Sequence, residues 1–268
     1  MGLAALFAGL AVEIRGVEPT PPAGLDTFLI GEYLEVMLRP FWCYYGGKWR
    51  SAPTYPAPRH DAIIEPFAGA AGYATRYHER RVVLVEADPA IAGLWRWLIQ
   101  ATPEDVLALP LEVPKTVRDL GLAPDPSTLI GFWLNKGASA PKQSPSAWMR
   151  QGKHQTSFWG PAIRERIASQ VSAIKHWTII EGDYTDAPDI EATWYVDPPY
   201  HKGGMHYSRS TVDYEALAAW CKARRGQVIV CEEQGADWLP FRPHKTCKAN
   251  ESRNGGKVCR EVIWTGGG

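Results

Sequence analysis

Short apolar runs that each end on an acid, or on an acid-bearing turn, punctuate this chain. They are Ala62-Ile63-Ile64-Glu65, Arg81-Val82-Val83-Leu84-Val85-Glu86, Trp177-Thr178-Ile179-Ile180 with Glu181-Gly182-Asp183-Tyr184 behind it, and Thr193-Trp194-Tyr195-Val196 leading into Asp197. Runs of this length, rich in β-branched and aromatic residues, predict buried strands. A fifth lies over 227–231. Between them, Ile91, Leu94, Trp95 and Leu98 recur at helical spacing and predict a helix over about 89–101; a second is expected near 213–224. Strands alternating with helices predict an α/β protein with an open, largely parallel, doubly wound sheet. Ligands of such sheets bind at the carboxyl ends of the strands. Near the C-terminus, Asn254-Gly255-Gly256 stands between two β-like runs, the pattern of a terminal β-hairpin.

The rhythm breaks over residues 102–176, where prolines stand at 103, 110, 114, 124, 126, 141 and 145. This stretch is expected to be an inserted, mostly helical subdomain. Residues 41–101 and 177–268 would then form one domain around it. Residues 1–40 form an amphipathic lead-in to which no role is assigned. Their apolar run, 3–12, is too short to span a bilayer and has no basic segment before it, so a cytoplasmic protein is expected.

Composition changes the picture in two places. The chain of 268 residues has zero formal net charge, which argues at first against a polyanionic partner. The charge is unevenly spread, however. Between Phe132 and His176 seven cations (Lys136, Lys142, Arg150, Lys153, Arg164, Arg166, Lys175) face one acid, Glu165. Between Phe241 and Arg260 six cations face Glu251 alone. Such segments are either solvated faces or the electrostatic footprint of a phosphate backbone. The second departure is the 12 Trp and 11 Tyr, which supply core rings and stacking surfaces alike. Five dispersed cysteines form no C-x-x-C pair, and the histidines show no metal-type spacing. Neither a disulfide framework nor a metal site is expected; Cys231, inside an apolar run, is assigned to core packing.

The candidate chemistry gathers at the strand ends. Asp197-Pro198-Pro199-Tyr200 combines a carboxylate, two residues without N–H donors and an aromatic ring. Read alone it is a surface turn or a grip for a flat, amino-bearing ring. In the second reading Asp197 and the Pro198 carbonyl each accept one amino hydrogen, and Tyr200 stacks on the ring. The small-residue turn Phe67-Ala68-Gly69-Ala70-Ala71-Gly72 serves either a close helix–strand contact or a ligand approaching backbone N–H groups. An acid ending the next strand suits ribose hydroxyls, with Glu86 or its rival Asp88 in that place. Lys48, in the glycine turn Tyr44-Tyr45-Gly46-Gly47-Lys48, suits a carboxylate. A ligand with a ribose, an adenine and an amino-acid end describes S-adenosylmethionine.

Tyr45-Gly46-Gly47-Lys48, Glu65-Pro66-Phe67-Ala68-Gly69, Gly182-Asp183-Tyr184, Asp197-Pro198-Pro199-Tyr200 and Asn254-Gly255-Gly256 occur in this order. In that order they resemble the Dam-type (D12 class) adenine-N6 DNA methyltransferases, over roughly residues 44–264. The resemblance implies a Rossmann-like methyltransferase sheet with the 102–176 insert as target-recognition subdomain. It implies that Tyr45 and Lys48 hold the methionine end of S-adenosylmethionine and that Phe67, Ala68 and Gly69 line it. Glu86 would bind the ribose, and Asp183 with Tyr184 would meet the adenine. Asp197, Pro198 and Tyr200 would be catalytic. Double-stranded DNA would be the partner, met by Asn135, Lys136, Arg150, Lys153 and Asn254, with Gln151 a further candidate. No residue identifies a cognate restriction enzyme.

The implied reaction is direct in-line methyl transfer to adenine N6 after base flipping. Asp197, whose ordinary pKa is near 3.9, would stabilise charge developing on nitrogen without first removing a proton. Loop 201–212, with Gly203-Gly204 as a hinge, either closes over the base or is an ordinary loop. Competing readings are an RNA adenine-N6 or a cytosine-N4 methyltransferase, and a DNA-binding relative without activity. Protein-glutamine methylation is disfavoured, because an Asn usually takes the place of Asp197 in such enzymes.

Overall fold

The computed structural model describes residues 37–135, 138–151, 157–201, 212–248 and 258–267. Its frame is one seven-stranded sheet in the order β3-β2-β1-β4-β5-β7-β6. The strands are β1 (Ala62–Glu65), β2 (Arg81–Glu86), β3 (Thr178–Glu181), β4 (Ala192–Val196), β5 (Gly226–Glu233), β6 (Arg242–Lys248) and β7 (Val258–Gly266). All neighbours from β3 to β5 pair in parallel. β7 inserts antiparallel between β5 and β6. The β6–β7 pairing is the antiparallel pair expected at the C-terminus; its connecting Asn254-Gly255-Gly256 lies outside the described residues.

Burial on both faces explains the apolar runs. Side chains alternate across a strand, so Ile63, Val82, Leu84, Tyr195, Ile229 and Cys231 enter one hydrophobic layer. Ala62, Ile64, Val83, Val85, Trp194, Val196, Val228 and Val230 enter the other. A parallel strand covered on both sides has no polar face to show in its sequence. At one sheet edge β3 is only half covered. At the other edge β6 carries Arg242 and Lys245, charges of the kind that discourage further strand pairing.

Helix boundaries follow local chemistry. In α1 (Pro89–Gln100), Asp88 caps the N-terminus by accepting from the Ala90 N–H at 2.9 Å, and Pro89 occupies the first turn, where its missing N–H costs nothing. Thr102 and Asp105 then form a capping box for α2 (Pro103–Leu107). α6 (Tyr214–Lys222) is capped by Asp213, which accepts from Ala216 N–H.

The 102–176 stretch contains α2, α3 (Pro124–Trp133), α4 (Ala147–Arg150) and α5 (Pro161–Gln170). Val106, Leu129, Phe132, Ile163 and Ile167 share one core layer with α1 and the sheet. Leu38–Gly268 accordingly clusters as one unit. Several of the many tryptophans staple this layer through their indole N–H groups: Trp133 to the Phe41 carbonyl at 2.9 Å, Trp159 to Pro110 at 2.7 Å, Trp177 to His78 at 3.0 Å. Cys231 and Cys221 lie buried, one in each layer. Among the described residues no helix is long and apolar enough to cross a membrane, and no cluster of His, Cys, Asp or Glu is arranged to hold a metal ion.

Candidate active site

The strand order reverses between β1 and β4, which lie side by side while their chain neighbours run off in opposite directions. A crevice opens at that point beyond the carboxyl ends of the strands, as the topology requires. There a cavity of about 270 Å³ is lined by Tyr45, Lys48, Phe67, Ala68, Gly69, Glu86, Asp183 and Tyr184, every residue assigned to the cofactor from sequence. Asp197 lines it as well. The volume lies just below the usual range of small-molecule sites.

The floor is a charged cluster. Lys48 Nζ donates to both oxygens of Asp197, at 2.9 and 2.8 Å, and to the Gly46 carbonyl at 3.0 Å. Its side chain is only 6% exposed. Burial alone would depress this ammonium, but Asp197, helped by Tyr200, Tyr55 and Glu261, outweighs it and holds Lys48 well above the ordinary lysine range. Burial pushes the Asp197 carboxyl up, and Lys48 pulls against that push. Two short bonds from one ammonium to both carboxylate oxygens are the geometry of a charge-assisted pair, with the proton on Lys48. The Tyr200 ring centroid lies 5.0 Å from Lys48 Nζ, while its hydroxyl is buried with no hydrogen-bond partner among the described residues. Pro198 is buried in the same turn.

The glycine turns hold their places through backbone bonds. Gly47 N–H closes on the Tyr44 carbonyl at 3.1 Å, and Tyr45 N–H reaches the Ala138 carbonyl at 3.2 Å. After β1, Gly69 has φ of +44°, in the left-handed region that favours glycine. Ala71 also sits at φ +46°, a strained setting for a residue with a Cβ. Gly72 is required by space: a Cβ there would stand 2.6 Å from Trp49 N and 2.9 Å from Lys48 N.

The two acids that rivalled each other in the sequence take different positions. Glu86 bridges the turn, accepting from Gly69 N–H and Asp88 N–H at 2.9 Å each. Burial pushes its carboxyl up. Asp88 also lines the cavity but spends one oxygen on the α1 cap. On the opposite wall Phe67 stacks on Tyr184, with centroids 5.6 Å apart and planes 26° apart. Asp183 starts the short helical turn that carries Tyr184, accepting from Thr185 N–H at 3.2 Å.

Sequence reasoning missed Glu65, Tyr44, Tyr195 and Pro199 as lining residues. Glu65 is 2% exposed, accepts from Ala74 N–H, and is pushed up to about 8 by burial, against that bond and with Asp197 adding to the push. An acid ending the first buried strand was the available signal. Of the DNA candidates, Asn135 follows α3 half-buried, while Arg150 and Gln151 are exposed near α4; none of the three lines the cavity. Lys136, Lys153, Asn254 and the Gly203-Gly204 hinge lie outside the described residues.

No family model matches the chain, and no curated protein does. A solved structure of a conserved hypothetical protein from Streptococcus pyogenes is similar at 16% identity, with 75% of this chain and 84% of that chain covered and a TM-score of 0.28.

Proposed function

We propose that this protein binds S-adenosylmethionine and methylates the N6 amino group of adenine in DNA. The observation that carries the reading is the convergence on one cavity, beside the Asp197 turn, of all eight residues assigned to the cofactor between Tyr45 and Tyr184. A sheet beginning 3-2-1-4-5, with its cavity at the switch point, supports a Rossmann-like, doubly wound arrangement. The β6–β7 pair supplies its C-terminal hairpin, and the 102–176 helices serve as the target-recognition part.

The residues present fit that cofactor. Glu65 lines the cavity as an acid for an amino-acid end, and Glu86 retains acceptor lone pairs for ribose hydroxyls, while Lys48, its three N–H donors taken by Asp197 and Gly46, lends that end its charge alone. The Phe67–Tyr184 pair presents aromatic surface to an adenine. When bound, S-adenosylmethionine supplies an electrophilic methyl group.

The chain's own residues do the rest. A target adenine must leave the duplex to reach so recessed a turn. Stacking on Tyr200 recovers about 1–3 kcal/mol of the cost of unstacking. Asp197 and the Pro198 carbonyl then accept the two amino hydrogens, which turns the nitrogen lone pair outward. Each carboxylate oxygen has two acceptor positions, so Asp197 serves Lys48 and the amino group together. By keeping Asp197 ionised, Lys48 fixes a negative charge where positive charge develops on N6. Transfer of the methyl group would break its bond to the sulfonium and leave a neutral thioether, and the proton that N6 must then give up would pass to the Asp197 carboxylate.

The test is transfer from labelled S-adenosylmethionine to unmethylated genomic DNA, followed by digestion to nucleosides. N6-methyldeoxyadenosine is the expected product. Label in N4-methyldeoxycytidine, or in RNA in place of DNA, would overturn the substrate assignment; no transfer to any nucleic acid would overturn the reading.

A further inference from the structure

At the carboxyl end of β5 stands a carboxylate that the scheme above does not use. Glu232 has no exposed surface. A buried carboxylate persists only where donors satisfy it, and three segments supply them. Glu233 N–H donates at 2.8 Å, the Trp238 indole N–H at 3.1 Å, and His201 N–H to both oxygens at 3.2 and 3.3 Å. The last bond is the informative one, because His201 directly follows Tyr200. From α6, the Tyr214 hydroxyl donates to the Pro199 carbonyl. The rings of His201 and Tyr214 lie 4.8 Å apart and those of Tyr214 and Trp238 5.5 Å apart, closing an aromatic cover over these bonds.

The turn is thus gripped at two backbone atoms, Pro199 O within the tetrapeptide and His201 N just after it, by Tyr214 and Glu232, neither of which lines the cavity. Pro198 and Pro199 have no N–H with which to anchor the turn themselves. One residue before the gripped atoms, the Pro198 carbonyl accepts no hydrogen bond from the described residues. It is left available as an acceptor, and its direction is set by its neighbours.

We propose that Glu232 is the positioning residue of the Asp197–Tyr200 turn. By holding His201 N–H it aims the Pro198 carbonyl and the Tyr200 ring at the target base. The inference rests on the transfer reading for its consequence, but the grip itself is testable without it.

The experiment compares wild type with Glu232→Gln, Glu232→Asp and Tyr214→Phe in two arms. In hydrogen–deuterium exchange, the peptide across 197–201 has only the Asp197, Tyr200 and His201 amides to report. It is expected to exchange faster in Glu232→Gln, with the β2 peptide unchanged. In steady-state transfer to DNA, misplacement of the turn lowers kcat by about ten- to a hundredfold, while the KM for S-adenosylmethionine stays within about twofold. Glu232→Asp, which keeps the carboxyl group, recovers part of the loss. A purely structural Glu232 would lose cofactor binding, Tm and kcat together in both variants, and that result overturns the proposal, as would wild-type kcat and exchange in Glu232→Gln. Should Glu232→Gln not fold, Tyr214→Phe, lacking one hydroxyl, decides: lowered kcat with unchanged cofactor KM supports the grip, and wild-type behaviour overturns it. If wild-type protein methylates no DNA, the functional reading falls and the exchange arm alone decides whether Glu232 holds the turn.

Discussion

Lys48 Nζ stands within 2.9 Å of both carboxylate oxygens of Asp197, a partner 149 residues away in the chain. The pair joins the glycine turn before β1 to the tetrapeptide after β4. The resemblance assigned Lys48 to the cofactor's methionine end, yet the chain already supplies it with an anion. One cation therefore stands between the proposed cofactor and base positions, and it keeps the carboxylate of the second ionised.

Removing that cation leaves a partly buried carboxylate unpaired. Lys48→Met is expected to lower stability by about 3–5 kcal/mol, measured by urea unfolding. Asp197→Asn in the same background should restore part of it, and the double-mutant cycle gives the coupling. Transfer falls in Lys48→Met and is abolished in Asp197→Ala.

Glu65 predicts a pH dependence of stability. Its folded pKa of about 8 lies above its ordinary value of 4.5. Between those values the folded state holds a proton that the unfolded state has released. The contribution is thus complete below pH 4.5 and is lost as pH rises through 8. At about 1.4 kcal/mol per unit, the loss is of the order of a few kcal/mol. Glu65→Gln should remove this decline, seen as unfolding midpoints that vary less between pH 5 and 8.

Tyr200 separates ring from hydroxyl. Its hydroxyl is buried without a described partner, so Tyr200→Phe should leave stability within about 1 kcal/mol of wild type and preserve most transfer. Tyr200→Ala removes the stacking surface and should lower kcat/KM by about ten- to a hundredfold. Equal loss in both variants would show that the hydroxyl, not the ring, matters.

At Gly72 a methyl group meets backbone, not a yielding side-chain tip. Gly72→Ala should displace the Lys48–Trp49 segment, costing about 1–3 kcal/mol of stability and weakening cofactor binding in calorimetry. Ala71→Gly, by contrast, relieves a left-handed alanine and should raise the unfolding midpoint.

Glu86 and Asp88 are separable by binding. Asp88→Ala loses a helix cap worth about 1 kcal/mol and should keep cofactor affinity. Glu86→Ala frees the Gly69 turn and removes the proposed ribose acceptor. It should weaken cofactor binding by at least about tenfold. Reversed results would give the ribose to Asp88.

What the sequence determined by itself was local. The runs 62–65 and 81–86 are strands because consecutive apolar residues with no polar face fit only a strand covered on both sides. Asp88-Pro89 begins a helix because a side-chain acceptor and a ring without an N–H answer the orphan donors of a first turn. The acids at the strand ends were legible as candidates for the same reason, since parallel strands deliver their ends to one side.

Only the tertiary structure decided which of those ends meet. The placement of β4 beside β1, and of β7 between β5 and β6, depends on pairings between distant segments that no local pattern encodes. Lys48 carries no mark in the sequence of pairing with Asp197, nor Glu232 of holding His201. Both bonds exist because burial removes water as the competing partner, and burial belongs to the assembled sheet.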